Sequence, residues 1–185
     1  VLHTGLGRSP LSKDLVKESF DRIYPYSNLE FNVKDNVRGD RNEIIQNIIN
    51  PLIGSQSSIV VNNCAAAVLL TLNTLSENKE VIISRGQQVE IGGSFRIPEV
   101  VIKSGCIMKD VGTTNKTHSK DYQDAINENS GLILYAHTSN YRVVGFTKEI
   151  KIQELSKISK KNKIPLVVDA GSGCIALFEK FDMPS

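Results

Sequence analysis

Hydrophobic positions along the chain follow two rhythms. Short, mostly apolar runs at 59–61, 80–83, 106–111, 131–136 and 164–168 predict strands, since aliphatic and β-branched side chains suit a pleat covered on both faces. Elsewhere apolar residues recur at three- and four-residue steps, the mark of an amphipathic helix. Leu11, Leu15, Val16 and Phe20 form one such stripe, and Ile44, Ile45, Ile48 and Ile49 form the buried face of a second helix. Further helices are predicted over 65–72, near Val100, over 121–126, and through Ile152, Leu155 and Ile158.

Local punctuation sharpens the boundaries. Ser9-Pro10 reads as an N-cap followed by proline at the first helical position. Asp40, with Glu43 three residues on, resembles a capping box, and Pro51 and Gly54 end that helix. Residues 3–8 read as a polar, glycine-bearing loop, 24–37 as an irregular excursion, 91–98 as a glycine-rich loop and 112–115 as a turn. Strands alternating with helices predict an α/β fold of three layers, a mainly parallel sheet with helices on both faces. Residues 1–185 read as one domain, with no internal repeat or low-complexity linker.

Composition changes this picture little. A chain that is 40% hydrophobic and 23% charged can build an ordinary globular core. The net charge of +2 supplies no overall field that would select nucleic acid or a membrane surface. Lys157, Lys160, Lys161 and Lys163 gather at a predicted helix end, where cations suit the dipole, and read as a solvated face. Cys64, Cys106 and Cys174 are odd in number and form no CxxC, and His3, His118 and His137 lack metal-ligand spacing. A reduced, cytoplasmic setting without a metal site is the expectation. No apolar run reaches the length of a membrane span. The chain opens on Val1 rather than Met and stops at 181–185 without a closing element, so a piece of a longer protein is expected.

Candidate chemistry collects where the strands lose their apolar character. Asn62-Asn63-Cys64, Ser84-Arg85-Gly86-Gln87, His137-Thr138-Ser139-Asn140 and Asp169-Ala170-Gly171-Ser172 all fall at predicted carboxyl ends. Ligands of open α/β sheets bind beyond those ends. At Asn63, Cys64 and Ala65 the unpaired N–H groups of a helix start would face the same side, a ready phosphate cup. An ordinary crossover turn with no ligand fits the same residues. Asp169 directly follows Leu166-Val167-Val168, so its carboxylate is expected to be partly buried and to need a partner. A metal, a cation or a protonated heterocycle would serve, as would a structural bond to the Gly171 and Ser172 amides. A phosphate cup joined to an acid at a later strand end suits pyridoxal phosphate, whose ring nitrogen an acid keeps protonated. Neither GxxxxGK[ST] nor GxGxxG occurs, which disfavours nucleotides.

Longer blocks carry a resemblance. Residues 3–8 (His3-Thr4-Gly5-Leu6-Gly7-Arg8), 26–30, 61–70, 84–98, 111–115 and 137–142 together resemble, in order and from end to end, the bacterial selenocysteine synthases, L-seryl-tRNA(Sec) selenium transferases. That family is a fold-type I pyridoxal phosphate family. The resemblance implies part of the large, cofactor-binding domain of an aspartate aminotransferase-like fold, with an N-terminal tRNA-binding region and a C-terminal small domain absent. It implies conversion of seryl-tRNA(Sec) to selenocysteinyl-tRNA(Sec) through an aminoacrylyl-tRNA, with selenophosphate as selenium donor and a homo-oligomer as the working form. It places Asn63, Cys64 and Ala65 in the phosphate turn, Asp169 at the pyridinium nitrogen, and Gln87 and His137 at the ring's faces and edges. Arg38 and Arg41 fall in an Arg-Gly-x-Arg segment whose forked charges suit an oxyanion such as selenophosphate.

This chain departs from the family at Cys64, where relatives often carry Asn, and at Asp40 and Asn42 around the arginines. It also offers no Schiff-base lysine. Lys103, Lys116, Lys148, Lys151 and Lys163 lack the desolvated pocket such a residue needs, so that lysine is expected beyond Ser185 and the piece alone is expected to be inactive. Two rivals remain: a pyridoxal phosphate lyase acting on a small amino acid or amino sugar phosphate, and a non-catalytic binding protein on the same fold.

Overall fold

A computed structural model describes residues 10–171 and residue 173. The chain forms two compact units, 1–60 and 61–185. The predictions at 3–8, Ser9, Ser172, Cys174 and 181–185 lie outside the described residues.

In the first unit, α1 (Lys13–Ile23) is capped by Ser12, whose hydroxyl accepts from the Leu15 N–H. The start of the helix thus falls at Ser12, two residues past Pro10, and Asp14 adds a negative charge in the first turn. A small antiparallel ladder follows inside the predicted excursion, β1 (Phe31–Asn32) against β2 (Val37–Arg38). Helix α2 (Arg41–Ile53) starts at Asp40, whose carboxylate accepts from Asn42 N at 2.8 Å. Pro51 lies inside α2 rather than ending it; termination comes three residues later, where Gly54 takes the left-handed conformation (φ 68°).

Neither helix of this unit buries a residue, which corrects the expected apolar faces. Leu15, Phe20, Ile44 and Ile48 are each about half exposed or more. Periodicity marks which side of a helix wants cover; it does not supply the cover. The run at 59–61 is corrected as well. It forms no strand, and Ile59 and Val60 are 62% and 56% exposed. β-Branched residues favour a strand only where a neighbour completes the ladder, and no described strand pairs with this one.

The second unit carries the predicted three layers. Helix α3 (Cys64–Ser76) leads to β3 (Glu80–Ser84) and a single 3₁₀ turn (Arg85–Gln87). Residues 91–98 are more ordered than a loop. β4 (Glu90–Ile91) and β5 (Phe95–Arg96) form a hairpin turning at Gly92 and Gly93, and α4 (Ile97–Lys103) follows at once. Then come β6 (Ile107–Val111), α5 (Ser119–Ala125), β7 (Ser130–Ala136), α6 (Ile152–Asn162) and β8 (Leu166–Asp169). Four strands make one parallel sheet in the order β6-β3-β7-β8.

Alternation along the central strands sets the layers. Val81, Ile83, Leu132 and Leu134 face one way and pack with Val68 and Leu72 of α3 and Ile97 and Val101 of α4. Ile82 and Ile133 face the other way and meet Tyr122 of α5 and Leu155 and Ile158 of α6. Each aliphatic side chain buried in this way contributes roughly 1.5–3 kcal/mol. The lysines of α6 stay exposed at its carboxyl end, as their charge requires. All four strands run parallel, so their carboxyl ends lie on the same side of the sheet.

Candidate functional site

Helix α3 begins with a cap. Asn63 takes an extended backbone (φ −165°, ψ 170°), and its side-chain oxygen accepts from Ala66 N at 2.8 Å. Its carbonyl accepts from Ala67 N at 3.1 Å. The Cys64 and Ala65 N–H groups are then left without a partner among the described residues. They are the first donors of a 13-residue helix and carry the positive end of its dipole. Ala65, Ala66 and Ala67 add only methyl groups, so a ligand can approach closely.

Asp169 is the last residue of β8 and is half-buried. Its Oδ1 accepts from the Cys64 thiol at 3.3 Å and from Gly171 N at 2.9 Å. The helix start and the carboxylate, 105 residues apart in the chain, thus lie side by side. No donor reaches Oδ2 among the described residues. Burial, then the charge of Asp169 and the hydrogen bond to it, push the Cys64 thiol up to about 11. A helix N-terminus ordinarily lowers a thiol's pKa; here burial and the carboxylate outweigh it, and Sγ remains a protonated donor at neutral pH.

The remaining predicted residues take different places. His137 follows β7 directly and is exposed; its N–H donates to the Asp169 carbonyl at 2.9 Å, which seats the two strand ends side by side. Gln87, expected beside the ring, is instead 3% exposed with its amide engaged at both ends. Its Nε2 donates to Glu149 Oε1 at 2.9 Å, and its Oε1 accepts from Ala136 N at 3.4 Å. Gln87 and Glu149 line a separate cavity of about 110 Å³ at the ends of β3, β6 and β7, with Ser84, Thr117, Thr138 and Lys148. Tyr135 sits against Glu149, and burial together with that carboxylate raises its phenol to about 12.

Arg38 and Arg41 belong to the first unit, where they flank a shallow surface hollow with Glu30. Arg41 is already ion-paired with Glu30, whereas Arg38 has no ion pair among the described residues. Lys103, Lys116, Lys148, Lys151 and Lys163 are all exposed, and none occupies a desolvated pocket. Among the described residues, no cluster of His, Cys, Asp or Glu is placed to hold a metal, and no helix is long and apolar enough to cross a membrane.

Sequence reasoning missed Glu149 and the thiol contact of Cys64. Glu149 sits in a charged stretch with no period, and it meets Gln87 across 62 residues. Cys64 was legible as a turn residue, while its bond to Asp169 depended on how α3 and β8 are juxtaposed. Chemically, these neighbouring groups offer amide donors to an anion and an open carboxylate oxygen to a cationic N–H.

Residues 1–185 match the family L-seryl-tRNA selenium transferase (SelA). The L-seryl-tRNA(Sec) selenium transferase of Aquifex aeolicus is 51% identical over 181 residues, covering 98% of this chain and 40% of that protein. The one from Geobacter metallireducens is 51% identical over 176 residues, covering 95% and 38%. The chain thus spans about 40% of the length of these relatives. Among solved structures, a D-glucosaminate-6-phosphate ammonia-lyase superposes with a TM-score of 0.72 at 16% identity, over 89% of this chain and 45% of that one. Helicobacter pylori PseC, an aminotransferase involved in pseudoaminic acid biosynthesis, gives 0.56 at 16% identity, over 86% and 39%. At those identities the structures speak for the fold, an aminotransferase-like α/β architecture, while the family match runs over every residue. The chain belongs to the L-seryl-tRNA selenium transferase family.

Proposed function

We propose that this chain is the cofactor-cradling part of a pyridoxal phosphate-dependent transferase that exchanges the β-hydroxyl of L-seryl-tRNA(Sec) for selenium from selenophosphate. Family membership supports the reaction, and one observation carries the site: Cys64 Sγ lies 3.3 Å from Asp169 Oδ1, which supports reading the amide donors and the carboxylate as two sides of one ligand hollow. The donor set fits pyridoxal 5'-phosphate, an anion at one end of a flat ring and an N–H cation at the other.

The residues divide the work. The Cys64 and Ala65 amides receive the phosphate, aided by the α3 dipole. Asn63 holds those amides in place by capping the helix. Asp169 would keep the ring nitrogen protonated through its open oxygen. His137, whose N–H donates to the Asp169 carbonyl, would border the ring. Gln87 would act indirectly, bracing the end of β7 through Ala136 N. Bound there, pyridoxal phosphate supplies an electron sink for charge developing at the substrate's α-carbon. Arg38 and Arg41 are assigned to selenophosphate, for which Arg41 must leave Glu30. The lysine that holds the cofactor is assigned to residues beyond Ser185, the working form to a homo-oligomer and the setting to the cytoplasm. Residues 1–185 are assigned to the cofactor-binding large domain.

The complete protein, given seryl-tRNA(Sec) and selenophosphate, is expected to place selenium on the tRNA, and Asp169→Asn is expected to abolish that transfer. Absence of transfer, with elimination from a small amino acid or amino sugar phosphate, would favour the lyase reading instead.

A further inference from the structure

We propose that Cys64 is a positioning residue of this site: its thiol, with the Gly171 N–H, holds Asp169 Oδ1 and leaves Oδ2 to face the cationic N–H of the ring. The inference rests on the reading of the hollow given above. A carboxylate at a strand end turns freely about a broad terminal torsion unless donors hold it. Here two donors from different elements converge on one oxygen, Cys64 from the start of α3 and Gly171 from the segment after β8. Both oxygens of a carboxylate accept hydrogen bonds equally well, so occupying one of them decides which remains for a ligand.

The thiol also ties the two ends of the site together. Its own backbone forms the phosphate turn, while its side chain reaches the acid that meets the opposite end of the ring. The spacing between anion donors and cation acceptor is therefore held by one residue on a helix anchored in the core through Val68 and Leu72. The high thiol pKa keeps the donor proton in place across the physiological range. A hydroxyl at this position could make the same bond; a methyl group could not.

The test uses the complete protein and the probe 4-deoxypyridoxine 5'-phosphate, which keeps ring and phosphate but has no aldehyde for a lysine to capture. Affinity is read by equilibrium dialysis, and ring protonation by the pH dependence of the bound probe's ultraviolet absorbance. Cys64→Ala is expected to weaken binding about three- to tenfold and to lower the pH at which the bound ring loses its proton. Cys64→Ser is expected to restore both, and Cys64→Val, a second donor-free variant, to behave as the alanine does. In the ligand-free protein, Cys64 alkylation should reach half-maximal rate near pH 11 and at lower pH in Asp169→Asn. Equal affinity and ring protonation in Cys64→Ala and the parent, with ring protonation lost in Asp169→Asn, would overturn the role of Cys64 and leave the hollow intact. An Asp169→Asn variant that binds and protonates the probe normally would overturn the reading of the hollow, and this proposal with it.

Discussion

Replacing Gly131 by alanine tests how tightly α3 is seated on the sheet. Gly131 lies in β7 where the pairing with β3 slips: Glu80 pairs with Ser130 and Val81 with Leu132, so Gly131 is the extra residue of a bulge. A Cβ there would stand 1.7 Å from Ser76 Oγ and 2.9 Å from both Ser76 Cβ and Lys79 Cβ. Ser76 ends α3, is 1% exposed, and its hydroxyl has no hydrogen-bond partner. Turning that hydroxyl aside relieves the first contact but neither of the carbon contacts. The end of the helix must then lift from β7, the overpacking that costs about 1–3 kcal/mol; two simultaneous carbon clashes place Gly131→Ala near the upper end. Urea unfolding of the complete protein, followed by far-ultraviolet circular dichroism, would measure it beside Ser76→Gly and the double variant. Ser76→Gly removes both serine contacts, so the double variant should recover about 1 kcal/mol or more of the loss. A Gly131→Ala variant within about 0.5 kcal/mol of the parent, or strictly additive losses in the double variant, would refute the reasoning.

Other contacts carry three further expectations. Asn63→Ala removes the acceptor for Ala66 N and should lower stability by about 1 kcal/mol in a thermal melt. Asn63→Asp keeps the cap but sets a negative charge beside the free amides, so it should bind 4-deoxypyridoxine 5'-phosphate more weakly than the parent in equilibrium dialysis. Burial first, then Glu149, raises Tyr135 from 10.0 to about 12, so the folded state holds the phenol proton more tightly than the unfolded chain. That stabilisation is fully present below pH 10 and is lost as pH rises toward 12. Urea midpoints between those limits should fall, and Tyr135→Phe should flatten the decline; a parent midpoint that does not move would contradict it.

Much of the second unit was readable from pattern alone. The runs at 80–83, 106–111, 131–136 and 164–168 became strands of one parallel sheet; the two central ones, β3 and β7, are apolar along most of their length because both their faces are covered. Asn63 before a run of alanines became a helix cap for reasons local to four residues. The first unit shows the limit of that logic. The stripes of α1 and α2 and the run at 59–61 carry the right periods and residue types, yet they are largely exposed, because a period marks the face that wants cover without naming what covers it.

Local sequence therefore determined the helices and sheet strands of the second unit, the caps at Asp40 and Asn63, and the polar segments that follow the strands, since each depends on neighbours within a turn or a few residues. The tertiary structure alone decided that Cys64 and Asp169 meet across 105 residues, that Gln87 turns inward to Glu149, and that Gly131 must have no side chain. Those outcomes depend on how a helix and a strand, each stable in its own pattern, are set against one another. That relation is fixed by packing through the shared core and by strand register, which a pattern along one segment does not contain.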